Sequence, residues 1–133
     1  MEYRLTELIL AQRNNITNTL PKKKAEDFID GLYRLLFSLD TEPCQCSYEV
    51  EQRLKAKQLE FSEIIYDYFR DNQRAQQATT TFFSSIEEIY CRLLRDAQAI
   101  LDNDPAAQNL EEVYIAYPGF YAIVIHRFAH QLW

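Results

Sequence analysis

At 133 residues, 47% of them hydrophobic and 26% charged, the chain is long enough for one domain around a single core. Two glycines and four prolines are too few for a β-sandwich, a Gly-rich phosphate loop or a disordered linker. The net charge of −6 argues against a nucleic-acid surface, which needs a clustered Lys/Arg excess; the basic run Lys22-Lys23-Lys24 reads as a solvated first turn after Pro21.

In chain order, nearly every segment reads as helix. Residues 2–20 place Tyr3, Leu5, Leu8, Ile9, Gln12, Ile16 and Leu20 at steps of three to four, which lines one helical face. Pro21 suits a break, because its missing N–H costs nothing in a first turn. Residues 22–39 then carry Phe28, Leu32, Leu35, Leu36 and Leu39 on one stripe, flanked by Tyr33 and Phe37. Gly31 weakens that helix by about 1 kcal/mol relative to Ala and marks a close helix crossing.

Residues 40–47 form the clearest loop, after which Ser47 serves as N-cap for a helix over 48–75 with Val50, Leu54, Phe61, Ile64, Ile65, Tyr68 and Phe69 on its apolar face. Three successive β-branched residues, Thr79-Thr80-Thr81, predict an interruption. A further helix spans 82–102 through Phe83, Ile86, Ile89, Tyr90, Leu93, Leu94, Ala97 and Leu101. It ends at Asp102-Asn103-Asp104-Pro105, since the residue before proline is pushed out of the α region. Shorter helices fit 108–116 and 118–133, the latter with Pro118 in its first turn. The expectation is an all-α, multi-helix bundle of five or six helices, one domain over 1–133. Its nine tyrosines and eight phenylalanines thicken the helix–helix interfaces.

No apolar run approaches the ~18 residues needed to cross a bilayer. The Met1-Glu2-Tyr3-Arg4 start lacks a signal-peptide pattern. Cys44, Cys46 and Cys91 form an odd, sparse set without zinc-knuckle spacing, so reduced thiols in a cytoplasmic protein are expected, with no metal. His126 and His130 share a helix face as metal ligands can, but Arg127 follows His126 where a metalloprotease has Glu, and they read as structural. Glu87-Glu88 and Glu111-Glu112 suit helix starts. No Ser/His/Asp order, Gly-x-Ser-x-Gly motif or Gly-rich loop is present, so no catalytic residue is expected within the chain. Asp104, extended before Pro105, reads as an N-cap for a helix beginning at Pro105, its side chain free to point away from the bundle.

Three ordered motifs lie near the C-terminus: Asp104-Pro105-Ala106; Tyr117-Pro118-Gly119-Phe120 with Ala122; and Arg127 followed by Ala129-His130 and Leu132-Trp133. On these, residues 96–133 resemble the end of the helical N-terminal domain of serine O-acetyltransferases. His126 and Phe128 depart from the family's usual aromatic and Ile, and residues 1–90 carry no matching motif. The resemblance implies transfer of an acetyl group from acetyl-CoA to L-serine in cysteine biosynthesis. It further implies a left-handed β-helix of hexapeptide repeats after residue 133, which would hold the catalytic histidines and the acetyl-CoA groove. No cofactor is then expected on this chain; acetyl-CoA is the co-substrate of the full-length enzyme. The implied partners are further copies of itself (trimer or hexamer), L-serine, L-cysteine as feedback inhibitor, and cysteine synthase through a C-terminus outside these residues. No nucleic acid and no membrane is implied. The family's substrate-contacting Asp maps onto Asp104, whose carboxylate would pair with the serine ammonium.

An apolar, uncapped end at Leu132-Trp133 leads to the expectation that the polypeptide continues. It also predicts that Phe120, Ile123, Ile125, Phe128, Leu132 and Trp133 are exposed on more than one side of the last helix, driving association. The alternative is a free-standing helical module for oligomerisation or regulation, without catalysis. The reading frame after residue 133 separates the two.

Overall fold

A computed structural model describes residues 2–14 and 22–131. The described residues form seven α-helices and no strands: α1 Glu2–Asn14, α2 Lys22–Leu36, α3 Ser47–Phe69, α4 Asn72–Ser84, α5 Ile86–Asn103, α6 Leu110–Ala116 and α7 Pro118–His130. The all-α bundle expected from the periodicity is therefore observed. Ile16, Leu20, Pro21, Leu132 and Trp133 lie outside the described residues.

Helix α2 ends where Ser38 takes the left-handed conformation, φ 56°. The Leu39 N–H then donates to the Arg34 carbonyl at 2.9 Å and the Ser38 N–H to Leu35 at 3.5 Å, a Schellman closure with Ser in the place of Gly. That stops the helix at Leu36 instead of the predicted residue 39. The loop that follows is pinned by Arg53, which reaches the Asp40 carboxylate at 3.3 Å and the Glu42 carbonyl at 2.8 Å.

Helix α3 starts one residue early. Ser47 is its first helical residue, not the cap; Cys46 occupies the cap position without a side-chain bond, and Glu49 instead accepts from the Gln45 N–H at 2.9 Å. On its predicted apolar face, Phe61, Ile64 and Ile65 are buried, but Val50 and Tyr68 are exposed.

The larger correction concerns the next break. The helix predicted to run to 75 stops at Phe69, because Arg70 turns left-handed (φ 55°) and Asp71 caps α4 by accepting from the Gln73 and Arg74 N–H groups at 2.9 and 3.3 Å. The Arg74 guanidinium sits over the Phe69 ring, 4.2 Å from ring centroid, and clamps the turn. Thr79-Thr80-Thr81 do not interrupt; they lie inside α4. Their propensity penalty is about 0.5 kcal/mol each. Burial of Phe82, worth about 2–3 kcal/mol, outweighs it, and the Thr79 hydroxyl donates to the Ala75 carbonyl at 2.7 Å. The actual boundary is Ser85, whose hydroxyl donates to the Phe82 carbonyl at 2.7 Å and bends the chain into α5.

The core forms where α2, α3, α4, α5 and α7 converge, and its bulk is aromatic. Phe61 stacks on Phe82 at 4.6 Å, with Phe28 tilted against both. A second group centres on Phe37, which meets Tyr114 at 4.8 Å, Phe120 at 5.3 Å and Tyr90 at 5.5 Å. The expected exposure of the last helix is overturned for two of its residues: Phe120 and Phe128 are in the core, while Ile123 and Ile125 are half-buried. Phe120, Val124 and Phe128 recur every four residues, so the face they share turns inward as a unit.

Gly31 does mark a crossing. A Cβ there would lie 2.2 Å from Lys57 Nζ, so the absent side chain is what lets Lys57 of α3 lie across α2. Its ammonium sits 5.7 Å from the Phe28 ring centroid and pairs with Glu60 at 2.9 Å. Unlike these helices, α1 keeps every side chain from Arg4 to Arg13 exposed, including Leu5, Leu8, Ile9 and Leu10.

Tyrosine hydroxyls close the core against its polar edges. Tyr33 donates to the Tyr114 carbonyl at 2.5 Å, Tyr90 to the Leu36 carbonyl at 2.8 Å, and Tyr121 to the Asp30 carboxylate. Burial pushes the Tyr33 hydroxyl up to about 12; burial, then the Asp30 bond and charge, push Tyr121 to about 12, and Tyr90 and Tyr114 move the same way through burial. In the unfolded chain these phenols ionise near 10, so between pH 10 and about 12 the unfolded state sheds protons that the fold retains. Stability is therefore whole below pH 10 and falls as pH climbs toward 12. Thermal melts followed by circular dichroism are expected to show that decline beginning near pH 10. A melting temperature that stays flat to pH 12 would remove the argument.

Candidate functional site

Two X–Pro dipeptides build the site. Asp104 precedes Pro105 and Tyr117 precedes Pro118, and in each case the proline ring forces the preceding residue out of helical backbone. Asp104 accordingly sits at φ −108°, ψ 110° as the C-cap of α5, and Tyr117 at φ −102°, ψ 97° between α6 and α7. The seven-residue helix α6 returns the chain from one to the other.

Asp104 is half-buried and thoroughly tied. Its N–H donates to the Ile100 carbonyl at 2.9 Å, closing α5, and its carbonyl accepts from the Ala107 N–H at 3.1 Å. Carboxylate oxygen Oδ1 accepts from the Ala106 N–H at 2.9 Å, an Asx turn through Pro105. No helix starts at Pro105, which corrects the expected N-cap role; the next helix begins at Leu110. There Asn109 is the cap, accepting from the Glu112 N–H at 2.8 Å while Glu112 accepts from the Gln108 N–H at 3.3 Å. The nearby Asp104 carboxylate, as an acceptor and then through its negative charge, raises the Tyr117 phenol above its ordinary value of 10.

The electrostatics of the position favour a cation. Asp104 follows the last turn of α5, beside Asp102, where unpaired carbonyls give a helix its negative end. A carboxylate costs the helix about 0.3–1 kcal/mol there. The Ala106 N–H bonded to the carboxylate carries no compensating positive charge, so the local excess is negative and suits an ammonium group.

The motifs flanking the pair position it. Gly119 leaves room for the Tyr117 ring, since a Cβ there would lie 3.2 Å from Tyr117 Cε1. Phe120 is wholly buried, and its N–H donates to the Tyr117 carbonyl at 3.1 Å, anchoring the start of α7. The third motif ties helices instead. Arg127 donates through Nε and Nη2 to both carboxylate oxygens of Asp96 at 2.7 and 3.1 Å, a half-buried two-bond clamp between α7 and α5.

The other residues singled out in the sequence lie apart from this pair. His126 and His130 are exposed, their rings stacked 6.0 Å apart beside a small cleft also lined by Arg92, Arg127 and Ile89. Glu87 and Glu88 occupy the first turn of α5, Glu88 paired with Arg92, and Glu111 and Glu112 the first turn of α6. Cys44, Cys46 and Cys91 are unpaired. Among the described residues no group of three or more His, Cys, Asp or Glu could hold a metal, and no helix is long and apolar enough to cross a membrane. The repeated X–Pro pattern predicts two extended residues at helix ends on either side of a short helix, which is how Asp104 and Tyr117 stand.

Comparison with known proteins finds similarity over part of the chain. The chain is similar to a plasmid-encoded serine acetyltransferase of Synechococcus elongatus, 40% identical over 62 residues, which is 47% of this chain and 19% of that protein. It is also similar to a serine acetyltransferase of Synechocystis, 49% identical over 41 residues (31% of this chain, 16% of the relative). A second serine acetyltransferase of Synechococcus elongatus is 51% identical over 41 residues, 31% of this chain and 17% of the relative. The chain thus spans less than a fifth of the length of the curated relatives it matches. No family model and no solved structure matches it. The resemblance carried by the three motifs is thereby supported over part of the chain, and that part is similar in sequence to serine acetyltransferases.

Proposed function

We propose that this chain is the helical N-terminal domain of a serine O-acetyltransferase, a single unit over 1–133, with two tasks. The first is substrate contact: the Asp104 carboxylate receives the ammonium group of L-serine, or of L-cysteine as competing inhibitor, at a site completed by a catalytic β-helix domain outside these residues. The second is assembly, of a trimer or hexamer of the full-length enzyme in the cytoplasm. Acetyl-CoA binds the β-helix domain, and cysteine synthase a C-terminus beyond it.

The observation that carries the first task is the Asp104 turn: a carboxylate preset by the neutral Ala106 N–H at the negative end of α5, within a motif of the family. Serine kinetics of an Asp104→Ala variant of the full-length protein test it, with thermal stability measured on the same sample. Unchanged serine kinetics beside lowered stability would leave Asp104 a turn former only. The second task draws on α1, whose Leu5, Leu8 and Ile9 sit at i, i+3, i+4 spacing and are exposed.

The 133-residue chain alone is expected to release no coenzyme A from acetyl-CoA and serine above a blank, because no residue in it can act as general base toward the serine hydroxyl in the manner of the serine O-acetyltransferase family. Light scattering on the same sample is expected to give a dimer or larger species. Turnover by the isolated chain, or a strictly monomeric mass at high concentration, contradicts the respective half of the proposal.

A further inference from the structure

Helix α1 and one face of the bundle match in shape and charge, yet within a single chain α1 stands clear of that face. Leu5, Leu8 and Ile9 form one stripe on α1 and are 60%, 57% and 60% exposed. Arg4 and Arg13 flank the stripe on opposite sides, and neither has an ion pair among the described residues. On the bundle, α2, α3 and α7 leave a cleft of about 120 Å³ lined by apolar side chains only. Phe61, Ile64 and Phe82 in it are buried, while Ala25, Ile29 and Ala129 are half-buried at its edge. The space is about what one large aliphatic side chain fills. Beside it the charge is acidic. Ile64 also borders a second cleft lined by Lys24, Asp27, Glu60, Glu63 and Asp67, four carboxylates against one ammonium. Lys24 pairs with Asp67 at 3.8 Å, Lys23 with Asp27 at 2.9 Å and Lys57 with Glu60 at 2.9 Å. Glu63 is left without an ion pair among the described residues.

We propose that α1 of one copy docks in the α2–α3–α7 cleft of a second copy, an apolar anchor of its stripe entering the cleft and an arginine facing Glu63. The inference rests on the assembly role given to α1 above and names both the surface that receives it and the occupant, a second copy of this chain. Helices are recognised by grooves in this manner: anchors at i, i+3 and i+4 supply the affinity, and charges at the rim fix the register. A two-fold dimer makes the exchange reciprocal, each copy giving one α1 and one cleft.

Leu8→Asp places a charge on a residue exposed in its own chain, so the melting temperature of the 133-residue chain is expected to stay close to the parent's. Its dissociation constant, measured by analytical ultracentrifugation, is expected to rise about tenfold or more through the lost apolar anchor. Ala25→Glu at the cleft edge, and independently Ile29→Glu, should weaken association from the other side, with circular dichroism checking that each is folded. Leu8→Asp keeps its cleft and Ala25→Glu keeps its α1, so mixing the two at high concentration is expected to give a dimer that neither variant forms alone. If the parent assembles and Leu8→Asp assembles equally well, the docking is overturned and assembly as such is spared. Association lost in Leu8→Asp but kept in every folded cleft variant overturns the cleft as the receiving surface, the result that pairing of α1 with α1 would give. A mixture that stays monomeric overturns exchange between copies, and a monomeric parent overturns the docking and the assembly role together.

Discussion

Replacing Asp104 by Ala in the full-length protein is expected to lower kcat/KM for serine by roughly a hundredfold or more, corresponding to about 2–5 kcal/mol for a truncated charged pair. Cysteine inhibition should weaken in parallel, since both amino acids present the same ammonium group, while acetyl-CoA affinity stays near the parent value. The structural share of the change is separable. Asp104→Ala removes the Asx bond to the Ala106 N–H. Losses of this capping kind amount to about 1 kcal/mol of stability, whereas the closure of α5 by the Asp104 N–H survives in any residue but proline. A modest loss in thermal stability beside a large loss of serine specificity is therefore the expected signature. Equal losses of stability and activity, restored together by lowering the temperature, would count against the substrate contact.

Phe120→Ala is expected to be the most damaging of the substitutions near the site. The ring is wholly buried and lies 5.3–6.3 Å, centroid to centroid, from Phe37, Tyr114 and Tyr33. Truncating such a phenylalanine costs about 3–5 kcal/mol through lost transfer energy and the residual cavity. Domains of this size are stable by only about 5–15 kcal/mol in all. Chemical denaturation should show a large drop in midpoint, while Ile115→Ala, on the exposed face of α6, should move stability by no more than about 0.5 kcal/mol. Near-equal midpoints for the two variants would contradict the packing described for α7.

The break between α3 and α4 shows why boundaries resisted prediction. Its chemistry is an Arg in the left-handed region and an Asp cap, with neither Gly nor Pro to signal a turn. The three threonines looked like the breaker, but their preference is local and small, and Phe82 beside them is drawn into a stack with Phe61 that outweighs it. The last helix was misjudged for a related reason. Read alone it is apolar on several sides; in the fold, Phe120, Val124 and Phe128 find the faces of α2, α4, α5 and α6, which no local window contains.

Helix content and the identity of the three motifs were legible in residue order. Apolar residues at three- and four-residue steps specify helices wherever few glycines and prolines intervene, and the X–Pro pairs place extended residues at Asp104 and Tyr117 through local sterics alone. Tertiary structure decided what those residues meet. The short helix α6 between Asp104 and Tyr117 is held by Tyr114 and Val113, which pack on the core. Arg127 reaches Asp96 because the inward stripe of α7 presents it to α5. Both outcomes depend on how buried faces are shared among helices distant in sequence, and that is settled by the packing of the whole core.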